Sequence, residues 1–298
     1  MAPARRLVPL LTASALAVAL AGCTGAPGPA APGDGLVHIV ASTNVYGGIV
    51  EAIGGDRVEV TSLIGGAQDP HEYEASSRDE LEIAEADLLV ANGGGYDDFF
   101  FQLVDASGSD APLIVASGTE SADEQLPNEH VWYDLGRMDD LAASIADDLT
   151  VIDPDGASAY ADGLRAFQAG ILDLESRAHE IAADHGGEQV VMTELVPGYL
   201  LAEAGLVDAT PAEFSEAIEE GSGVPVRVLA DLEALVASGD VAFLAANTQS
   251  FGPETGALID AARGAGVPVV SFAETLPEGE TYLSWMSANL GAAAAALE

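Results

Sequence analysis

Between Pro154 and about His185 the chain runs some thirty residues with no further proline, and Tyr160, Leu164, Phe167, Ile171, Leu174, Ala178 and Ile181 recur at spacings of three and four. Such spacing lays one apolar stripe along a helix of 3.6 residues per turn. Asp153-Pro154 supplies a start signal and Gly186-Gly187 a stop. At a rise of about 1.5 Å per residue the rod is roughly 45 Å long, longer than a small lobe is wide. A helix of that length is expected to link two lobes. On its amino-terminal side the apolar pattern predicts strands over Val37 to Ser42, Val58 to Ile64, Asp87 to Ala91 and Pro112 to Ser117, with helices at about Tyr46 to Ile53, Ser77 to Ala86 and Asp97 to Asp105. On the far side it predicts strands over Gln189 to Thr193, Val241 to Ala246 and Val267 to Phe272, with helices near Tyr199 to Ala204, Asp231 to Ser238, Pro253 to Ala265 and Tyr282 to Ala296. This alternation argues for parallel sheets built by right-handed crossovers. The expected fold class is α/β: two lobes, each a parallel-rich sheet flanked by helices, joined by one long linker helix. The expected boundaries are 36–152 for the first lobe, 153–187 for the linker and 188–298 for the second lobe; the halves share an architecture but no sequence repeat.

Residues 1–22 are expected to be a signal peptide, because Arg5 and Arg6 precede an apolar run, Leu7 to Ala21, that is shorter than the roughly 20 residues of a spanning helix. The run ends Leu20-Ala21-Gly22-Cys23 at the chain's one cysteine, which resembles the lipobox of bacterial lipoproteins. A lone cysteine makes no intrachain disulfide, and Cys23 sits between the signal and a Pro/Gly/Ala tether over 23–35 with no core to join. The resemblance implies cleavage before Cys23, its lipidation, and a mature protein held by acyl chains on the outer face of the bacterial cell membrane. About 275 residues then remain, enough for two lobes.

The formal charge of −40 comes from 49 acids against 9 bases, all arginine, which argues against nucleic acid and anionic lipid as partners. A field of that sign concentrates cations; it also serves solubility, so charge alone names no ligand. The Gly93-Gly94-Gly95 run lacks the Lys-Ser/Thr ending of a phosphate loop and reads as a turn. Crevices outside the carboxyl ends of strands are where open α/β sheets bind ligands. His71, in the stretch GGAQDPHEYE over Gly65 to Glu74, follows the second predicted strand there, with Pro70 stiffening the backbone before it. It is open to two readings, a turn histidine satisfying local hydrogen bonds or a ligand. Glu194 and Glu274 follow two later strands, and His130 stands beside an aromatic pair in a region expected to enter a helix. Either glutamate alone reads as a solvated strand end. Two strand-end carboxylates and two histidines together read as a metal site, since a carboxylate leaving an apolar strand needs a cation or good donors. His38, His179 and His185 are expected on the surface; the last two, six apart, occupy different helix faces.

The chain resembles the solute-binding lipoproteins of metal-ion ABC transporters, the zinc- and manganese-binding TroA-like family. The residues that carry the likeness are Ser42-Thr43-Asn44, Gln68-Asp69-Pro70-His71-Glu72-Tyr73-Glu74, Ala86-Asp87-Leu88-Leu89-Val90-Ala91-Asn92-Gly93, Asn128-Glu129-His130-Val131-Trp132, Asn247-Thr248-Gln249 and Glu278-Gly279-Glu280-Thr281-Tyr282, in order from Leu36 onward. The resemblance implies two α/β lobes joined by a rigid helix, and one metal between them on two side chains from each. Carried over, the first-lobe pair is His71 and His130, the third ligand is Glu194, and Glu274 takes a fourth place where the family usually has aspartate. The histidine-rich loop of many zinc members is replaced by the acidic stretch Thr119 to Glu129.

Two imidazoles and two carboxylates are harder than a three-histidine set and favour Mn²⁺ relative to Zn²⁺, whereas the stability order favours Zn²⁺; Mn²⁺ or Zn²⁺ is the expected cargo, with Fe²⁺ also compatible. The expected function is capture of the ion outside the membrane and delivery to an ABC permease by a monomer, with no chemical step. A metal-dependent lipoprotein adhesin and a metallohydrolase are the alternatives. Four protein ligands tend to close the shell that a hydrolase keeps open, and the sequence has no HExxH helix, nucleophile elbow or Cys/His pair.

Overall fold

The computed structural model describes residues 35–66, 73–119, 124–219 and 221–298. Cys23, the signal peptide, nearly all of the tether and His71 lie outside the described residues. Leu36 to Glu298 form one compact unit, and within it stand two four-stranded, wholly parallel sheets.

The first sheet has the order β2-β1-β3-β4, from β1 (Val37–Thr43), β2 (Val58–Ile64), β3 (Leu88–Ala91) and β4 (Leu113–Val115). Its crossovers carry α1 (Asn44–Gly54), α2 (Ser77–Glu85) and α3 (Asp98–Ser107). The central strands read as near-continuous apolar runs because helices cover both of their faces. The chain passes from β1 into α1 with no intervening loop, which sets Asn44 at the sheet's carboxyl edge. After β4 the chain reaches α4 (Leu135–Ile152) through a 3₁₀ turn at Val131–Tyr133, and Asp134 caps α4 by accepting from the backbone N–H of Arg137 at 3.1 Å.

The second sheet repeats the arrangement as β6-β5-β7-β8, from β5 (Gln189–Met192), β6 (Val207–Asp208), β7 (Val241–Asn247) and β8 (Val269–Phe272). Around it lie α6 (Gly198–Glu203), α7 (Ala212–Glu219), α8 (Val226–Val236), α9 (Pro253–Ala265) and α10 (Tyr282–Leu297). β6 and α7 have no counterpart among the predicted elements, and α8 begins five residues before the predicted Asp231. β8 begins at Val269 rather than Val267. Pro268 has no N–H for the ladder and contributes only its carbonyl, which accepts from Leu244 at 2.9 Å.

The connecting helix α5 (Ala157–His185) is 29 residues long. Tyr160, Phe167, Ile171, Leu174, Ala178 and Ile181 are buried along its length, as the stripe of threes and fours requires. Its start is pinned by Asp153, whose carboxylate accepts from Arg57 Nε and from the Tyr160 hydroxyl, each at 2.7 Å. Gly163 lets α1 approach closely, since a β-carbon there would lie 2.4 Å from the Ile53 carbonyl oxygen. Two turns further on, Gly170 abuts Leu283, and Arg177 donates to the Ser287 carbonyl at 3.1 Å. One helix thus packs first on α1 of the first lobe and then on α10, beside the second sheet. A continuous apolar core follows it, running from Ile39 and Tyr46 through Tyr133 and Tyr160 to Phe272 and Trp285. Among the described residues no helix is long and apolar enough to cross a membrane.

Candidate metal centre

The carboxyl ends of the two sheets face a common region, where His130, Glu194 and Glu274 are all buried. Glu194 follows β5 and Glu274 follows β8, and the strand between these two in the sheet, β7, ends at Asn247. Parallel register puts all three strand ends on one edge, so the Asn247 amide falls between the two carboxylates. Its Nδ2 donates to Glu194 Oε2 and to Glu274 Oε1, the latter at 2.7 Å. One amide nitrogen carries two protons, enough for one bond to each glutamate. The Asn247 backbone is itself held by Thr193 Oγ1 at 2.9 Å.

Glu274 is also gripped from the first lobe. The Tyr96 hydroxyl donates to Glu274 Oε2 at 3.1 Å. Burial, and after it the Glu274 charge, push that phenol well above its ordinary pKa, so it stays a proton donor throughout the working pH range. Tyr96 reaches the site by the Gly93-Gly94-Gly95 turn, where all three glycines have positive φ (73°, 68° and 104°), a region side chains with a β-carbon rarely adopt. Asp97 locks the turn by accepting from the backbone N–H groups of Asn92 and Gly93, each at 2.7 Å. The Gln249 side-chain oxygen accepts from the Glu274 and Thr275 backbone N–H groups at 2.7 and 3.1 Å, and so fixes the backbone that presents Glu274.

His130 precedes the 3₁₀ turn of Val131–Tyr133 and is wholly buried. Its ring is walled by Trp132 and Tyr96, with centroids 5.2 and 6.0 Å away. Nδ1 lies 2.8 Å from Asn128 Oδ1. The Asn128 amide is oriented by its other end, since Nδ2 donates to the Leu195 carbonyl at 3.0 Å, one residue past Glu194. Asn128 therefore offers the ring an acceptor, which puts the proton on Nδ1 and the lone pair on Nε2, the tautomer a metal ligand needs. Asn128 also ties the lobes together through the Tyr199 hydroxyl, which donates to its carbonyl at 2.8 Å.

Glu194 and Glu274 thus share one donor, and Tyr96 packs beside His130 while bonding Glu274. A tighter convergence is one the sequence reading did not contain: donor atoms of Glu129, His130 and Glu219 lie within 4.8 Å of one another. His130, Glu194 and Glu274 do not meet that mutual distance among the described residues. The other histidines pair locally with glutamates, His38 with Glu59 at 3.2 Å, His179 with Glu203 at 2.8 Å and His185 with Glu188 at 2.9 Å.

Residues 39–296 match the family model described as ZnuA, zinc-uptake complex component A, periplasmic. The chain belongs to the ZnuA family. Its relatives include the manganese-binding lipoprotein MntA of Halalkalibacterium halodurans, 32% identical over 173 residues, which span 55% of this chain and 56% of that one. The metal ABC transporter substrate-binding lipoprotein ScbA of Streptococcus cristatus is 25% identical across 97% of both chains. In fold, this ZnuA-family chain is similar to the periplasmic zinc-binding protein TroA from Treponema pallidum, with a TM-score of 0.72 and 20% identity over 88% of this chain and 99% of that one.

Asn247 and Asn128 enter the sequence analysis only as part of the family likeness, with no function attached, and Tyr96 does not enter it. Asn247 ends a strand on the same edge as the two glutamates, so the strand-end argument applied to amides as well as to ionisable groups would have found it.

Proposed function

We propose that this ZnuA-family protein is the extracytoplasmic solute-binding component of a metal-ion ABC transporter. It captures one divalent transition metal, Mn²⁺ or Zn²⁺ with Fe²⁺ also accommodated, on His71, His130, Glu194 and Glu274, and passes it to a membrane permease. The lipid on Cys23 anchors it to the outer face of the cell membrane, where it acts as a monomer. Family membership and the names of its lipoprotein relatives support carriage. The observation that carries the site is the Asn247 amide bound to both Glu194 and Glu274. Two buried carboxylates brought onto one neutral donor repel each other, and a divalent cation between them removes that repulsion. Imidazole and carboxylate together suit both manganese and zinc.

The test is a comparison of two charge-neutralising changes. Glu274→Gln is expected to weaken Mn²⁺ and Zn²⁺ binding by about tenfold to a hundredfold, while Glu254→Gln, on α9 and only partly buried, leaves it within about twofold. Calorimetry showing equal effects of the two would reject Glu274 as a ligand.

A further inference from the structure

The Glu129, His130 and Glu219 donors are not part of the four-residue set above except through His130, and they converge more tightly than the described members of that set. An ion with metal–ligand bonds of about 2.0–2.2 Å holds opposing donors no more than about 4.4 Å apart, so the 4.8 Å span of this trio is within a small adjustment of an ion's reach. We propose that Glu129 and Glu219, with His130, form an outer station that first holds the incoming divalent cation before it passes inward to Glu194 and Glu274. The inference deepens the metal-capture reading and rests on His130 being a ligand.

Three further observations support it. First, Glu129 and Glu219 line a cavity of about 410 Å³ whose wall also carries Asp208 and Glu216, with no basic residue among its described lining. Walls of one sign around a concave space focus the field and raise the local cation concentration. Second, the three donors form a series in depth: Glu219 at the end of α7 is exposed, Glu129 is half-buried and His130 is wholly buried. An ion moving along them exchanges water for protein ligands in steps rather than shedding its shell at once. Third, the cavity adjoins the inner pair, because Leu195 lines it next to Glu194, and the Leu195 carbonyl holds the Asn128 amide that sets the tautomer of His130. One imidazole serving both stations forbids filling both together, so occupancy is sequential.

The station acts on the rate of capture. The experiment is stopped-flow mixing of the full chain with Mn²⁺, read by quenching of Trp132, whose ring centroid lies 5.2 Å from that of His130. Glu219→Gln and Glu129→Gln are expected to slow association by about tenfold, whereas Glu216→Gln, which removes the same charge from the same cavity wall without removing a donor, slows it by no more than about twofold. Equal rates for Glu219→Gln and Glu216→Gln would reduce the trio to general electrostatic attraction and overturn the proposal. His130→Ala separates the two readings. If it abolishes binding while Glu219→Gln matches Glu216→Gln, the inner site stands and the station falls; if it leaves binding unchanged, the capture site itself is wrong. Glu219 is exposed at the end of its helix, so its substitution leaves folding intact, which far-ultraviolet circular dichroism checks.

Discussion

His130→Ala is expected to lower the affinity for Mn²⁺ and Zn²⁺ by at least about a hundredfold, with the fold retained. The size of the effect follows from how the ring is prepared. Its tautomer is set by Asn128, its plane is held between Trp132 and Tyr96, and it is wholly removed from water. A ligand held in one geometry contributes its full bond, because little ordering remains to be done when the ion arrives. Alanine takes away the nitrogen and leaves a small void beside aromatic rings. The cost to folding is therefore that of a partial cavity, on the order of 1–3 kcal/mol, which a domain with a core this continuous tolerates. Titration calorimetry at fixed salt measures the affinity and thermal denaturation the stability. Loss of binding that tracked unfolding would deny His130 a ligand role.

The second large effect is expected at Asn247. Asn247→Leu keeps the approximate volume but removes the one donor that Glu194 and Glu274 share. Two buried carboxylates then lose a hydrogen bond each while their repulsion remains, a penalty on the order of 2–4 kcal/mol in the metal-free protein. The metal-bound form suffers less, because a divalent cation itself screens the two glutamates. The expected result is a lowered melting temperature without metal and a larger upward shift on adding Mn²⁺ than the wild-type protein shows, since binding to the folded state adds stability by mass action. By the same cycle its affinity for Mn²⁺ is at least that of the wild-type protein, because what the metal-bound form is spared appears as tighter binding. An unchanged melting temperature without metal would mean that the amide does not hold the two carboxylates together.

The long helix and the two parallel sheets were legible because their signals are extended. Seven apolar positions at threes and fours with no internal proline admit one regular structure, and α5 buries six of those seven side chains. Glu194 and Glu274 were legible as ionisable groups at the ends of apolar strands. α7 was not, since Phe214, Ala217 and Ile218 within eight residues are too short a run to establish a period. The functions of Asn247 and Tyr96 were not legible for a different reason: a neutral amide and a phenol beside three glycines carry no charge to mark them, and their role appears only when strand order brings β7 between β5 and β8 and the glycine turn points Tyr96 at Glu274. The meeting of Glu129 with Glu219 was invisible to local rules. The two residues belong to different lobes, and the docking of Asn128 on Leu195 and Tyr199 brings their neighbourhoods together.

Side chains from both lobes are expected to bind a single ion where the sheets' carboxyl edges meet. Crystals of the full chain grown with Mn²⁺, measured on both sides of the manganese absorption edge, locate the ion by its anomalous scattering. One strong peak per chain is expected, within bonding distance of His130, Glu194 and Glu274. A peak bonded to residues of one lobe alone, or several weak peaks spread over the acidic surface, would contradict it.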